Sequence, residues 1–148
     1  MSDPQSRNEE ILQALLDGNE YTDPPQSRME DLLVQVKEAF ERMNTKHQLV
    51  LCEGSGSPVE LNLMRTDIAN VGLMRETGVP AIIVGDIERG GVFAAIYGTW
   101  LLIPDELKPQ LKGFIINRFR GDASILAPAV DRIRELTGME CLGVLRYE

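Results

Sequence analysis

Four short runs of apolar residues, separated by segments with helical periodicity, constrain the fold of this chain more than any other feature. Each run is apolar throughout instead of alternating, which is typical of parallel strands that are covered on both faces. Right-handed crossovers through the intervening helices then place the loops that follow the strands on one edge of the sheet. The sequence therefore predicts an α/β fold, a parallel sheet of about four strands with helices on both faces; the predicted strands are residues 49–52, 80–85, 112–117 and 140–145.

The segments around these runs predict helices. Two of them begin with a capping-box pattern, at Ser6 and at Ser27, and carry apolar residues on one face. Pro24 and Pro25 lie between them and predict a linker. We expect an N-terminal helix and linker over residues 1–26 and one α/β domain over residues 27–148; the predicted helices are residues 6–18, 27–43, 67–78, 92–103 and 124–137, with one more turn after Pro104.

The composition excludes several classes of function. A net charge of -8 and the lack of a basic face argue against nucleic-acid binding. The sequence has no apolar run long enough to cross a bilayer and no secretory leader, so we expect a cytoplasmic protein without a membrane segment. Cys52 and Cys141 fall in predicted strands and are interpreted as inert core thiols, and with the single His47 they do not suggest a cysteine hydrolase or a zinc site.

A polar loop follows the first predicted strand. Glu53 comes directly after the apolar run, and the glycines of the next segment, Gly54 and Gly56, can expose backbone N–H groups to an anionic ligand. A carboxylate at the end of a parallel strand can hold Mg²⁺ while water and phosphate fill the other positions. The alternative is an ordinary turn with a solvated glutamate.

Similar loops follow the second and third predicted strands. Asp86 and Arg89 precede the pair Gly90 and Gly91, which opens a helix whose N-terminus favours anions. After the third strand, Asn117 offers an amide that can read a base edge, and Arg118 and Arg120 follow it. Each loop alone is also consistent with a tight turn or with a helix capped by Asp122. Because all three are expected on one edge, together they predict a nucleotide-phosphate and metal site beside an acidic substrate.

One common phosphate-binding motif is missing from the sequence. No Gly-x-x-x-x-Gly-Lys-Ser/Thr pattern occurs, so the lysine and hydroxyl that usually hold phosphates and magnesium are not provided by these residues. We therefore do not expect a complete phosphoryl-transfer site from this chain alone.

Several motifs resemble cobyric acid synthase, the glutamine-hydrolysing amidotransferase of cobalamin biosynthesis. They are EGSGSPVELNL, DIAN, PAIIVGDIERGGVFAAIYGT, KGFIINRFRGD and the final GVL, within residues 49–145. The resemblance implies the middle part of a dethiobiotin-synthetase-like domain of the P-loop NTPase class, without its P-loop strand. It also implies ATP and Mg²⁺ as cofactors, and a corrinoid substrate of the cobyrinic acid a,c-diamide type. The side-chain carboxylates of the corrinoid would be converted to acyl phosphates and then amidated by ammonia from a glutaminase domain.

The resemblance also implies roles for individual residues. Glu53 would be the magnesium carboxylate and a catalytic group together with Asp86 and Arg89. Asn117 would lie near the adenine, with the remaining cofactor-binding residues Gly54, Gly56, Gly90, Gly91 and Arg118 around the phosphates. The corrinoid side would comprise Asn62, Asp67 and Asn70.

The chain departs from the family pattern in ways that matter for activity. We identify neither the family's phosphate loop nor its glutaminase domain within these 148 residues, and Arg146 replaces a common proline after GVL. We expect the isolated chain to be inactive and its incomplete sheet to expose an apolar edge that favours self-association. The alternative is a non-catalytic module that binds a nucleotide or corrinoid, or that serves as a subunit interface.

Overall fold

The structure, a computed structural model, describes residues 26–147. This part of the chain contains four α-helices and three strands; two helices precede the first strand, and one helix lies between each pair of consecutive strands. Two 3₁₀ turns, Asp105–Gln110 and Ala123–Leu126, connect some of them. The helices are α1 (Gln26–Lys46), α2 (Val71–Thr77), α3 (Val92–Leu102) and α4 (Ala127–Thr137), and the strands are β1 (Ala81–Asp86), β2 (Leu111–Phe119) and β3 (Glu140–Arg146).

The three strands form one parallel sheet in the order β1-β2-β3. The register aligns Asp86 at the end of β1 with Asn117 near the end of β2. A break in the register between Phe114 and Ile115 changes the pairing of β2 with β3. The parallel α/β architecture that the apolar runs predicted is therefore confirmed, and the sheet is open at both sides in the described part of the chain.

The core lies on one face of this sheet. Phe114 and Ile116 of β2 are fully buried, and Ile96 of α3 packs over Gly85, where an added Cβ would come within 3.1 Å of the Ile96 side chain. Helices α3 and α4 also contact each other, which places both on this face. Burial of these side chains stabilises the β1-β2-β3 sheet by about 1.5–3 kcal/mol for each large residue.

The opposite face of the sheet is apolar and exposed. Ile82 and Val84 of β1 are 49% and 59% exposed, and Leu142 and Leu145 of β3 are about equally open. Because side chains alternate along a strand, Ile82 and Val84 lie opposite Ile83 and Gly85, which face the core; the register shift in β3 allows Leu142 and Leu145 to share the exposed face despite their spacing. The expected cover of helices on both faces is therefore present on one face only within residues 26–147.

The predicted strand at residues 49–52 is not formed. Leu49 and Leu51 are 73% and 86% exposed, and the segment has no place in the sheet. A strand needs a neighbour for its backbone N–H and C=O groups, and a short apolar run without one has no reason to remain extended. The interpretation of Cys52 as a core thiol is wrong for the same reason, since the residue is exposed, whereas Cys141 on β3 is half-buried.

The other predicted elements occur close to their expected positions. The helix predicted at residues 67–78 is shorter, Val71–Thr77, because the preceding residues form turns. The helix predicted at residues 124–137 divides into a 3₁₀ turn and α4, whose second residue is Pro128. The helix predicted at residues 6–18 lies outside the described residues. Within residues 26–147 no helix has the length and apolar character needed to cross a membrane.

Candidate functional site

The loops that follow β1 and β2 lie side by side at the carboxyl edge of the sheet. Asp86 is the register partner of Asn117, and the Ile87 amide donates to the Asn117 carbonyl at 3.1 Å. The Asn117 side-chain oxygen accepts from the Arg118 amide at 2.9 Å. The side-chain nitrogen of Asn117 makes no hydrogen bond with the described residues, so it can donate to a ligand at this edge.

Arg118 joins these two loops electrostatically. One guanidinium nitrogen, Nη1, lies 3.1 Å from Asp86 Oδ2, and Nη2 lies 2.9 Å from Glu88 Oε2. Within residues 26–147, Arg118 is the one non-glycine residue with a positive φ, 65°. Such a backbone is uncommon for a long side chain, and here it directs the arginine across the strand ends.

Arg120 and Tyr147 extend the same cluster to the end of β3. Arg120 Nη2 lies 3.4 Å from Glu88 Oε1, and its guanidinium carbon lies 3.6 Å from the centroid of the Tyr147 ring. Arg118 approaches the same ring at 5.2 Å. The Tyr147 amide donates to the Phe119 carbonyl at 3.0 Å, which places the Tyr147 backbone beside the end of β2. We refer to Asp86, Glu88, Arg118, Arg120 and Tyr147 as the rim cluster.

Hydrogen bonds favour the ionised forms of Asp86 and Arg118 in the rim cluster. The Glu88 amide donates to Asp86 Oδ1 at 2.9 Å, and this bond, followed by the interactions with Arg118, lowers the pKa of Asp86 below its ordinary value. The hydrogen bond to Asp86, followed by a side-chain hydrogen bond with Tyr147, in turn raises the pKa of Arg118. Both Asp86 oxygens are therefore engaged, so in this structure Asp86 organises the loop.

Arg89 is the cation of this edge that remains available. It makes no hydrogen bond or ion pair with the described residues, although its charge contributes to the lowered pKa of Asp86. Gly90 and Gly91 follow it with φ of 78° and 71°, and Gly91 is the N-cap of the 11-residue helix α3. Arg89 and the helix N-terminus together form a surface that favours an anion.

The Glu53 loop is held by a different contact. Asn70 Nδ2 donates to the Ser55 carbonyl at 2.9 Å, and the Asn70 side chain occupies the space where a Cβ on Gly54 would lie. Gly56 has a φ of 68°, which explains a glycine at that turn. Glu53 is exposed, and no hydrogen bond or ion pair links it to Asp86 or Asn117 within the described residues. The position of Glu53 beside Asp86 and Asn117 therefore stays a prediction.

Asp67 has a clear structural role. Its Oδ1 accepts from the amides of Ala69 and Asn70, both at 2.9 Å, and its Oδ2 accepts from the Val71 amide at 2.8 Å. These bonds cap the start of α2, as the sequence suggested when it placed the beginning of a helix here. Asn62 is exposed in a turn, so the three residues assigned to the corrinoid side are not joined into one polar group.

A cleft lies beside these residues. Its walls come from the first turns of α1, including Met29 and Leu32, and from residues 55–70, and its volume is about 480 Å³. Asp67 and Asn70 line it, but Asn62 does not. Apolar side chains such as Leu63 and Met64 dominate the lining, which suits the apolar face of a large organic ligand.

The sequence analysis did not identify Glu88 or Tyr147 as parts of the site. Glu88 occurs within the DIERGG motif, two residues after Asp86, and strand geometry alone does not show that it returns toward Arg118. Tyr147 follows the last predicted strand, where the position itself, at the same edge of a parallel sheet, was the available signal.

The donor set for a metal ion is sparse. Among residues 26–147 no group of three or more His, Cys, Asp or Glu side chains is arranged to bind one. A single free carboxylate is nevertheless compatible with Mg²⁺, which often takes one or two protein carboxylates and completes its shell with water and phosphate. Glu53, exposed and unpaired, fits that limited role.

Comparison with known proteins gives a consistent family. The chain is 44% identical to the probable cobyric acid synthase of Methanosarcina acetivorans over 141 residues, which covers 93% of the chain and 29% of that relative. It is 49% identical over 109 residues to the cobyric acid synthase of Cutibacterium acnes, covering 74% of the chain and 22% of the relative. The cobyric acid synthase of Streptomyces avermitilis is 46% identical over 121 residues, covering 82% and 24%.

The chain thus spans less than a third of the length of the curated relatives that it matches. No protein-family profile matches it, and no solved structure does. The motifs at the rim and the parallel sheet agree with the sequence relationship. With 44 to 49% identity over most of its own residues, the chain belongs to the cobyric acid synthase family and corresponds to a fragment of those proteins.

Proposed function

We propose that this chain carries one side of the ATP- and magnesium-binding site of a glutamine-using amidotransferase that amidates corrinoid side-chain carboxylates in cobalamin biosynthesis. The observation that carries the proposal is the shared edge at which Asp86 and Asn117 lie as register partners, within a sequence 44% identical to a probable cobyric acid synthase. Open α/β sheets bind nucleotides at this edge.

In the proposed reaction, a corrinoid carboxylate attacks the terminal phosphorus of ATP, which releases ADP and leaves an acyl phosphate. Ammonia from a glutaminase domain then adds to the acyl carbon, and the amide forms as phosphate leaves and a proton is lost. This chain would contribute charge and orientation. The Arg89 guanidinium and the α3 N-terminus would hold phosphate or carboxylate oxygens, while the free amide nitrogen of Asn117 would donate to the base.

Magnesium would neutralise phosphate charge during this transfer. Glu53 is the residue of this chain that would hold it, through one exposed carboxylate. The cleft lined by Asp67 and Asn70 is the place we propose for the apolar part of the corrinoid. Because Asp67 is occupied in capping α2, its contribution to that substrate would be indirect, through the shape of the cleft wall.

Calorimetric titration with Mg-ATP tests the proposal. The chain should bind Mg-ATP weakly, and Glu53→Gln should weaken binding, because the amide is a poorer ligand for Mg²⁺ than a carboxylate. Glu41→Gln, an exposed glutamate of α1, is the matched control and should bind as the unaltered chain does. Binding that is equal in all three proteins would contradict the role of Glu53, and measurable amidation by the chain alone would contradict its expected inactivity.

A second function, a subunit-interaction module without nucleotide binding, is favoured by the exposed apolar face of the sheet that includes Ile82 and Val84. The two functions give different results in the same experiment. Absence of Mg-ATP binding together with concentration-dependent association would support the interaction module and overturn the nucleotide site.

A further inference from the structure

The rim cluster brings together groups from all three strand ends. Asp86 and Glu88 come from the β1 loop, Arg118 and Arg120 from the end of β2 and the residue after it, and Tyr147 from just after β3. The two carboxylates and the two guanidinium groups balance in charge. The one uncharged member is the Tyr147 ring, and both guanidinium groups lie over it.

A backbone hydrogen bond holds Tyr147 beside the end of β2. The Tyr147 amide bonds to the Phe119 carbonyl, so the ring lies beside the residue between Arg118 and Arg120. An aromatic face attracts a guanidinium group, and planar stacking limits the rotations that a long arginine otherwise makes in solvent. At 3.6 Å the Arg120 contact is a stacking distance, whereas Arg118 at 5.2 Å lies at the ring's outer range and also interacts with the Tyr147 side chain through a hydrogen bond.

The remaining contacts of Arg118 show what this restriction does. Its side chain is 43% exposed, and exposed ion pairs by themselves hold side chains weakly because water and salt compete. Without support from a third direction, Arg118 would exchange among rotamers and release Asp86 Oδ2. The Tyr147 side chain, through its ring and its hydrogen bond, is the contact from that third direction, and Arg118 extends to Asp86 from a left-handed backbone at φ 65°.

We propose that Tyr147 is a positioning residue of the rim: its side chain restricts Arg118, and Arg118 in turn holds the Asp86 and Glu88 carboxylates of the β1 loop in place. Tyr147 acts through Arg118 and need not contact a ligand. The geometric part of this inference stands on the rim cluster, and its consequence for ligand binding rests on the proposed function.

The titration of the Asp86 carboxyl, followed by carbon-13 NMR, measures the geometric part without any ligand. The charged groups that face Asp86 are Arg118, Arg89 and Glu88, and the Glu88 amide also donates to it. Tyr147→Leu should raise the pKa of Asp86 part of the way toward its ordinary value, because Arg118 is then less often in place. Tyr147→Phe keeps the aromatic face but loses the hydroxyl that can hydrogen-bond Arg118, so it should raise the pKa of Asp86 less than Tyr147→Leu does.

A double-mutant cycle separates positioning from a direct effect. Arg118→Gln should raise the pKa of Asp86 at least as much as Tyr147→Leu does, and adding Tyr147→Leu to Arg118→Gln should change it no further. An unchanged Asp86 titration in Tyr147→Leu would overturn the proposal. Additive shifts in the double variant would overturn it as well, because the ring would then act independently of Arg118.

The binding consequence is tested with Mg-ATP on the same variants. If the unaltered chain binds, Tyr147→Leu should weaken binding more than Tyr147→Phe, which keeps the ring and loses only the hydroxyl; equal binding in both variants would contradict a role at the ligand site. If the unaltered chain does not bind, the nucleotide site fails, whereas the NMR result still decides the positioning role. The two failures are therefore distinguishable.

Discussion

The Arg118 guanidinium lies 3.1 Å from the Asp86 carboxylate and thereby joins the loop after β1 to the end of β2. The two residues are far apart along the chain but adjacent in space because β1 and β2 are parallel neighbours. Both side chains are about two-fifths exposed, so solvent screens their attraction. The pair therefore determines local geometry more than it stabilises the fold.

The exposure of the Arg118–Asp86 ion pair predicts a small effect of Arg118→Gln on stability. The free energy of unfolding in urea should change little, since exposed ion pairs contribute weakly to stability. The remaining difference from the unaltered chain should shrink as sodium chloride is added, because salt screens the pair. A large loss of stability that is independent of salt would show that Arg118 is needed for packing instead.

The cap at the start of α2 predicts a larger effect. Asp67→Ala removes an acceptor for three backbone amides, so we expect a loss of about 1–2 kcal/mol in the free energy of unfolding. Asp31→Asn, an exposed aspartate of α1, removes a charge without removing a cap and should stay within about 0.5 kcal/mol. Equal urea midpoints for the two variants would contradict the capping role.

Two glycines provide a matched test of the packing of α3 on β1. A Cβ on Gly85 would lie 2.6 Å from Val92 Cγ2, so Gly85→Ala should destabilise the fold by about 1–3 kcal/mol through overpacking. Gly98 lies within α3 with nothing within 4 Å of an added Cβ. Gly98→Ala should therefore stabilise it by about 0.5–1 kcal/mol, the helix preference of alanine over glycine.

Thermal and urea unfolding of Gly85→Ala and Gly98→Ala measures the change that each substitution makes in the free energy of unfolding. Opposite signs are expected because the same substitution meets a crowded contact at one position and open space at the other. A stabilising Gly85→Ala would show that α3 moves away from β1 without cost.

The strands that the sequence predicted correctly are those with a parallel neighbour in the described part of the chain. Residues 80–85 and 112–117 became β1 and β2 because an apolar run needs both a buried face and a partner for its backbone, and each provides these for the other. Residues 49–52 have the same apolar character and form no strand. The pattern of apolar residues indicates which segments can be buried, but it does not reveal whether a neighbouring strand is present to pair with them.

The candidate site was predictable to the same extent. Parallel topology alone implied that Asp86 and Asn117 would be adjacent, and the register confirms it. The link from Arg118 to Asp86 and Glu88 was not predictable, because it depends on a left-handed backbone at one residue and on side-chain rotamers. The place of Glu53 beside them depended on the strand that is not formed, so its site role stays a prediction.

The 3₁₀ turn before α4 predicts a specific dependence of stability on pH. Asp122 accepts from the Ser124 amide at 2.9 Å, and this bond lowers the pKa of Asp122. A lowered pKa in the folded state adds stability above the unfolded-state pKa of about 4, and that stability is lost as the pH falls through the folded value. Asp122→Asn cannot titrate but can still accept the hydrogen bond.

The difference in unfolding free energy between the unaltered chain and Asp122→Asn should therefore be greatest at neutral pH and should decrease as the pH falls below about 4. Urea unfolding at a series of pH values measures it. Parallel stability curves across the acid range would mean that the Asp122 carboxylate is not preferentially ionised in the fold.

The exposed face of the sheet predicts self-association. Ile82 and Val84 lie on β1, whose outer edge is unpaired in the described part of the chain, and Leu142 and Leu145 extend the apolar surface across to β3. Contiguous apolar surface beside an open strand edge favours contact with another chain. Sedimentation should therefore show a mass that rises with concentration.

In the double variant Ile82→Thr with Val84→Thr this rise in mass should be reduced, because threonine keeps the strand preference and adds a hydroxyl to the surface. Val34→Thr, at an exposed apolar position of α1, is the matched control and should associate as the unaltered chain does. A monomer at every concentration would show that this face is tolerated in water, and equal loss of association in Val34→Thr would place the contact on α1 instead of on the sheet.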